Sequence, residues 1–194
     1  AANVLWALAK LAQQPCTAQA AAQALQQLGA GGLAALLGRF GATIDSAKPQ
    51  EAANVLWAAS VLHEQGAIPA AGRAGVAEQL EWFAQGGMPA GMVAAADQSV
   101  SNWLLALARL VGPGQGGAQP PAVREGTARA SAVAVMQHPL FAKQRGWPDA
   151  KPQRMANSMR AAAQLGVLHE PFVAALADEA LRRLAAFKPQ ELAN

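Results

Sequence analysis

A six-residue phrase occurs twice in this chain: Ala2-Asn3-Val4-Leu5-Trp6-Ala7 returns unchanged as Ala53-Asn54-Val55-Leu56-Trp57-Ala58. Nothing else in the sequence constrains the fold as much, because self-similarity over tens of residues marks stacked copies of one supersecondary unit. Degenerate copies follow at Asn102-Trp103-Leu104-Leu105-Ala106 and Asn157-Ser158-Met159-Arg160-Ala161, and a fifth starts at Lys188-Pro189-Gln190-Glu191. The recurring Asn stands at 3, 54, 102, 157 and 194, so the intervals are 51, 48, 55 and 37 residues. The shortest marks the bare unit, and the others carry insertions.

Each copy predicts a helix, here called helix A. Pro49, Pro152 and Pro189 suit a first helical turn, where a missing N–H costs nothing, and apolar residues follow at helical spacing. In the compact unit, Glu170–Phe187 reads as a second amphipathic helix, helix B, with Phe172, Leu176, Ala180 and Leu184 on one face. Residues 17–40 read as one helix plus a short extra one around Leu33–Phe40, and residues 71–84 as another. Gly112–Arg124, with four Gly and three Pro, reads as a loop insertion, and His138–Lys151 as an irregular segment. The expectation is an all-α chain, an α-solenoid of stacked helical hairpins with about four degenerate repeats: 1–47, 48–95, 96–150 and 151–187, with a further start at 188–194. Composition agrees, since 53% of residues are hydrophobic but only 5% aromatic, which favours helices with small contact residues. The first copy lacks its Lys-Pro-Gln start and the last stops within its helix, so the chain is expected to be part of a longer protein, with half an apolar stripe uncovered at each end.

Advancing 100° per residue from the recurring Asn sorts helix A into faces. One stripe joins the Asn to Ala7, Ala58, Ala106 and Ala161 and to Leu11, Leu62, Leu110 and Leu165. A second joins Leu5, Leu56, Leu104 and Met159 to Ala9, Ser60, Ala108 and Ala163. These two are expected to contact flanking repeats. Val4 and Leu8, Val55 and Ala59, and Trp103 and Leu107 are expected to meet helix B. The remaining face carries Trp6, Lys10, Gln50, Trp57, Val61, Gln98, Leu105, Arg109, Gln153, Arg160, Gln164 and Gln190. It mixes amides, cations and indoles, and Lys151 and Arg154 lie beside it. A base offers hydrogen-bonding edges and a π face, and a phosphate accepts from Arg or Lys, so this is the surface to offer to single-stranded RNA. Trp6 and Trp57, set in a recurring phrase, read as packing residues ahead of stacking platforms. The recurring Gln is a helix-start hydrogen bonder or a base reader, and the recurring Asn ties adjacent repeats together in preference to touching RNA.

The charge is modest, at +3 overall, but uneven. Residues 1–97 hold four Lys/Arg against six Asp/Glu, a balance of −2, and residues 98–194 hold eleven against six, a balance of +5. A polyanion would meet the C-terminal half first. The single cysteine, Cys16, excludes an internal disulfide and fits a reducing compartment. No apolar run is long enough to span a bilayer. Gly112–Gly117 lacks the Lys-Ser/Thr and preceding strand of a phosphate loop, and His63, His138 and His169 lack paired ligand spacing. No active site, cofactor, small-molecule substrate or membrane partner is expected.

Pro-Gln-Glu-Leu-Ala-Asn at 189–194, and Asn-Val-Leu-Trp-Ala-Leu-Ala-Lys-Leu at 3–11, resemble the first helix of the octotricopeptide repeat (OPR) family, and the 37-residue interval is close to that family's unit. The resemblance is strongest over Ala2–Leu11 and Lys48–Leu62, intermediate over 151–194, weakest over 98–110, and absent from 113–150. It implies an α-solenoid that binds RNA in an organelle, mitochondrion or chloroplast, as a factor that stabilises, processes or helps translate a transcript. A ribosome-associated subunit gripping ribosomal RNA, with ribosomal proteins as further partners, is a variant of the same implication. The long insertions depart from the family's regular spacing and from a one-repeat-per-base code. A protein–protein scaffold is the competing reading, since helical arrays also grip peptides and +3 is low for an RNA binder.

Overall fold

The computed structural model describes residues 2–86, 97–112, 120–137, 147 and 150–193. Among them are ten α-helices and no strand. The helices are α1 (Ala2–Ala12), α2 (Ala18–Gln27), α3 (Gly29–Gly41), α4 (Pro49–Glu64), α5 (Arg73–Gly86), α6 (Asp97–Val111), α7 (Glu125–Met136), α8 (Pro152–Leu165), α9 (Glu170–Arg182) and α10 (Pro189–Ala193). The four repeated phrases fall in α1, α4, α6 and α8. These four pack side by side in chain order, α4 against both α1 and α6, and α6 against α8. A second layer lies behind them, with α3 against α5 and α5 against α7, while α2, α7 and α9 each pack on the first-layer helix of their own unit.

Local chemistry starts these helices as the recurring phrase predicts. The Lys48 backbone N–H donates to Glu51 Oε2 at 2.9 Å, and the Lys188 N–H donates to Glu191 Oε2 at 2.8 Å, so Lys-Pro-Gln-Glu closes its own N-terminus. In the copy that starts α8 the fourth residue of the phrase is Arg154, which cannot accept that bond and turns instead toward α6. The C-termini of α4 and α8 are closed alike. Gly66 (φ 66°) and Gly166 (φ 61°) take the left-handed conformation, and the next N–H reaches back five residues, from Ala67 to Leu62 O at 2.9 Å and from Val167 to Ala162 O at 3.0 Å.

Packing follows the two stripes. Ala58, Leu62, Ala106, Leu110, Ala161 and Leu165 are buried, whereas Ala7 and Leu11, the same positions in α1, are exposed, Leu11 to 39%. On the second stripe Leu5, Ala9, Leu56, Ser60 and Leu104 are buried, while Met159 is half-buried and Ala163 exposed on α8, where the short α10 is the neighbour. Further contacts join the first layer to α7 and α5 to α7. Trp103 is fully buried and its Nε1–H donates to Ser131 Oγ of α7 at 3.1 Å. Glu81 on α5 accepts from the Arg124 backbone N–H at 2.9 Å and from Thr127 Oγ1 at 2.6 Å, which ties it to the first turn of α7.

Four expectations need correction. Residues 17–40 form two helices of similar length, because Leu33, Leu37 and Phe40 bury one face and offset the helix-weakening effect of the glycines in α3. The 71–84 helix begins at Arg73, after a 3-10 turn at Ala70–Gly72. Val4 does not meet helix B; it is 51% exposed at the open end of α1. Leu184 does not share the buried face of Phe172 and Leu176, since α9 stops at Arg182 and a 3-10 turn at Leu184–Ala186 carries it outward. Most of the two expected irregular segments, at 113–119, 138–146 and 148–149, lies outside the described residues, as does Asn194.

Candidate nucleic-acid interface

A groove of about 540 Å³ runs across the exposed side of the first layer and takes side chains from all four of α1, α4, α6 and α8. Ten residues on or beside the face read from the sequence line it: Trp6, Lys10, Gln50, Trp57, Gln98, Leu105, Arg109, Lys151, Gln153 and Arg154; Val61, expected on the same face, is instead fully buried. The groove forms where α1, α4, α6 and α8, which carry the repeated phrase, lie side by side. Gln164 and Gln190 are exposed but do not line the groove. Arg160 is half-buried and does not line it, but its charge acts on that of Arg109.

The two ends of the groove differ. At the α1–α4 end, Lys10 Nζ lies 5.7 Å from the Trp6 ring centroid and 4.7 Å from that of Trp57. Trp6 is 44% exposed and Trp57 half-buried, so both indoles border the groove and neither is sealed in the core as Trp103 is. Trp57 packs against the hydrophobic core as well, as expected of a packing residue, whereas Trp6 is exposed. At the α6–α8 end, the two arginines already have partners. Arg154 Nη1 lies 2.7 Å from Asp97 Oδ2, and its Nη2 donates to Gln98 Oε1 at 3.0 Å. Arg109 Nε lies 3.1 Å from Glu64 Oε2. Burial lowers the pKa of Arg109, Glu64 raises it again, and Arg160 adds a smaller depression, with the guanidinium staying charged throughout the physiological range.

Between the ends runs a row the residue selection left out. Asn54, Asn102 and Asn157 all line the groove, and Asn102 Nδ2 donates to Asn54 Oδ1 at 3.4 Å, a long bond that links adjacent repeats as expected of the recurring Asn. Each amide offers both donors and acceptors, and one bond of that length leaves most of this capacity open to the groove. Gln13 and Ser101 extend the polar lining. The signal for the asparagines was present, since they anchor every copy of the phrase; linking repeats and facing the groove are compatible roles for one side chain.

Elsewhere, a cavity of about 340 Å³ on the second-layer side is lined mainly by apolar residues, among them Ile68, Val76, Pro120 and Pro121. His63 borders it, with Nε2 held 3.0 Å from Gly112 O. Among the described residues no three His, Cys, Asp or Glu side chains are grouped to hold a metal ion, and no helix is long and apolar enough to cross a membrane. Cys16 is exposed. No protein-family model, curated protein or solved structure matches the chain.

Proposed function

We propose that this chain is a stretch of α-solenoid whose first-layer groove holds single-stranded RNA. The observation that carries the reading is the convergence of two indoles, a row of amides and four cations from four successive helices on one groove. Single strands are bound by just such combinations, with aromatic faces for bases, amides for base edges and cations for phosphates. The resemblance of the repeated phrase to octotricopeptide repeats supports the same ligand and adds an organellar setting, with a transcript or ribosomal RNA as the strand held. The reading gives the chain no catalytic role.

One observation favours the competing scaffold reading. Glu64 and Asp97 offset Arg109 and Arg154, which leaves less free positive charge than a phosphate-binding groove usually carries. Filter binding of the full chain to a mixed-sequence single-stranded RNA over a salt series decides between them. RNA binding requires measurable affinity at low salt, a negative slope with log salt, and loss of binding when Lys10, Arg109 and Arg160 are changed to Glu. No affinity at low salt, or no loss in that triple variant, leaves the scaffold.

A further inference from the structure

We propose that the Trp6–Lys10–Trp57 corner is a subsite for one unpaired nucleobase, occupied by the Lys10 ammonium until a base displaces it. The inference rests on the RNA reading and narrows it to a place and a contact. Trp6 and Lys10 stand one turn apart on α1, and Trp57 comes from the neighbouring α4, so rings from two repeats converge on one cation. Trp103 provides the contrast. It stands two positions earlier in the phrase relative to the Asn, is fully buried, and has its indole N–H satisfied by Ser131. Trp6 and Trp57 instead present ring surface to the groove, and Lys10 is in no ion pair among the described residues.

An ammonium resting on an exposed ring is weakly held, because water competes for it. A base stacks on the same face over a far larger area, and any of the four bases can do so. Displacement wastes no charge, since a lysine stem pivots freely and its ammonium can turn from the ring to the phosphate flanking the stacked base. A basic peptide fits less well: its cations would contest the rings with Lys10 and meet like charge from Lys151 and Arg109 along the groove. An acidic peptide has nothing to stack.

The test uses the full chain carrying Trp82→Phe, which removes the other exposed indole and leaves Trp103 and Trp147 buried as background. The probes are an adenosine oligoribonucleotide of about ten nucleotides and its abasic counterpart, within the usual footprint of single-strand binders. The adenosine strand should quench tryptophan fluorescence and the abasic strand should not. Trp57→Leu should weaken binding of the adenosine strand about tenfold and leave the abasic strand unaffected, while Trp57→Phe, which keeps an aromatic face and guards against misfolding, should retain most of the affinity. Lys10→Met should keep the quench and flatten the salt dependence by about one phosphate contact. If Trp57→Leu, folded by circular dichroism, binds the adenosine strand as tightly as the parent and without quench in either, the subsite is wrong and the RNA reading survives. If the parent binds neither strand at low salt, the RNA reading fails and takes the subsite with it. Quenching by an oligolysine peptide but not by the adenosine strand would assign the rings to a protein partner and overturn the proposal.

Discussion

Arg154 Nη1 and Asp97 Oδ2, 57 residues apart in sequence, lie 2.7 Å from each other and join the first turn of α8 to the first turn of α6. The pair exists because the fourth copy of the phrase places Arg154 where Lys48 and Lys188 are followed by Glu51 and Glu191. A residue type that closes its own helix start in two copies is replaced in this one by a residue that reaches the preceding repeat.

Asp97→Asn should therefore have two opposite effects. Losing a charge-assisted bond in a partly buried pair should destabilise the chain by about 1–2 kcal/mol, read by urea denaturation. Freeing Arg154 within the groove should steepen the salt dependence of RNA binding by about one phosphate contact. A loss of stability with no change in that slope would make Arg154 purely structural.

The same substitution should cost different amounts in different copies. Leu62→Ala and Leu110→Ala remove fully buried side chains between first-layer helices and should cost about 2–5 kcal/mol each. Leu11→Ala, at the matching position of α1, should cost well under about 1 kcal/mol, because Leu11 is exposed. Equal costs in denaturation experiments would contradict the assigned register.

Acid should loosen the link between α5 and α7. Burial tends to raise the Glu81 pKa, but hydrogen bonds from Thr127 and from the Arg124 backbone and guanidinium outweigh it and hold the carboxyl below its ordinary value. A carboxyl depressed on folding contributes stability that is complete above its unfolded pKa, near 4.3, and is lost as pH falls through the lower folded value. Glu81→Gln should lower stability at neutral pH by about 1 kcal/mol and flatten the stability profile below about pH 4.5, measured by thermal melts across pH.

Gly166→Ala should destabilise by about 1–2 kcal/mol, since the residue holds φ 61° and a new Cβ would sit 3.1 Å from the Arg129 guanidinium. Arg129 uses that space to donate from Nε to Leu165 O at 2.8 Å. Thermal denaturation of Gly166→Ala beside Arg129→Ala would separate backbone strain from loss of that bond.

The first layer was legible because one phrase, placed on a 3.6-residue helix, assigns inward, outward and lateral faces at once; the buried Leu62, Leu110 and Leu165 stand where that assignment puts them. The outward face likewise brought most of its residues into one groove, Val61, which is buried in the core, being an exception. Illegible was whatever depends on distant or terminal partners. Glu64 beside Arg109 and Asp97 beside Arg154 carry no local signature, because acids 45 and 57 residues upstream meet those arginines only after the helices pack. Val4 and Leu184 were misplaced for a related reason: periodicity says which side a residue takes, but not whether a neighbouring helix extends far enough to cover it. The full length of α3 was hidden by its glycines, whose low intrinsic helix preference is offset by the packing of Leu33, Leu37 and Phe40.

Successive copies of the phrase are separated by 51, 48 and 55 residues, yet α1, α4, α6 and α8 stand shoulder to shoulder in matching phase. Chain can thus be added or trimmed between hairpins without shifting the floor of the groove, much as the slack of a rope ladder leaves its rungs level. Variants of this architecture could diverge widely in their connectors and still offer a ligand an unaltered line of footholds.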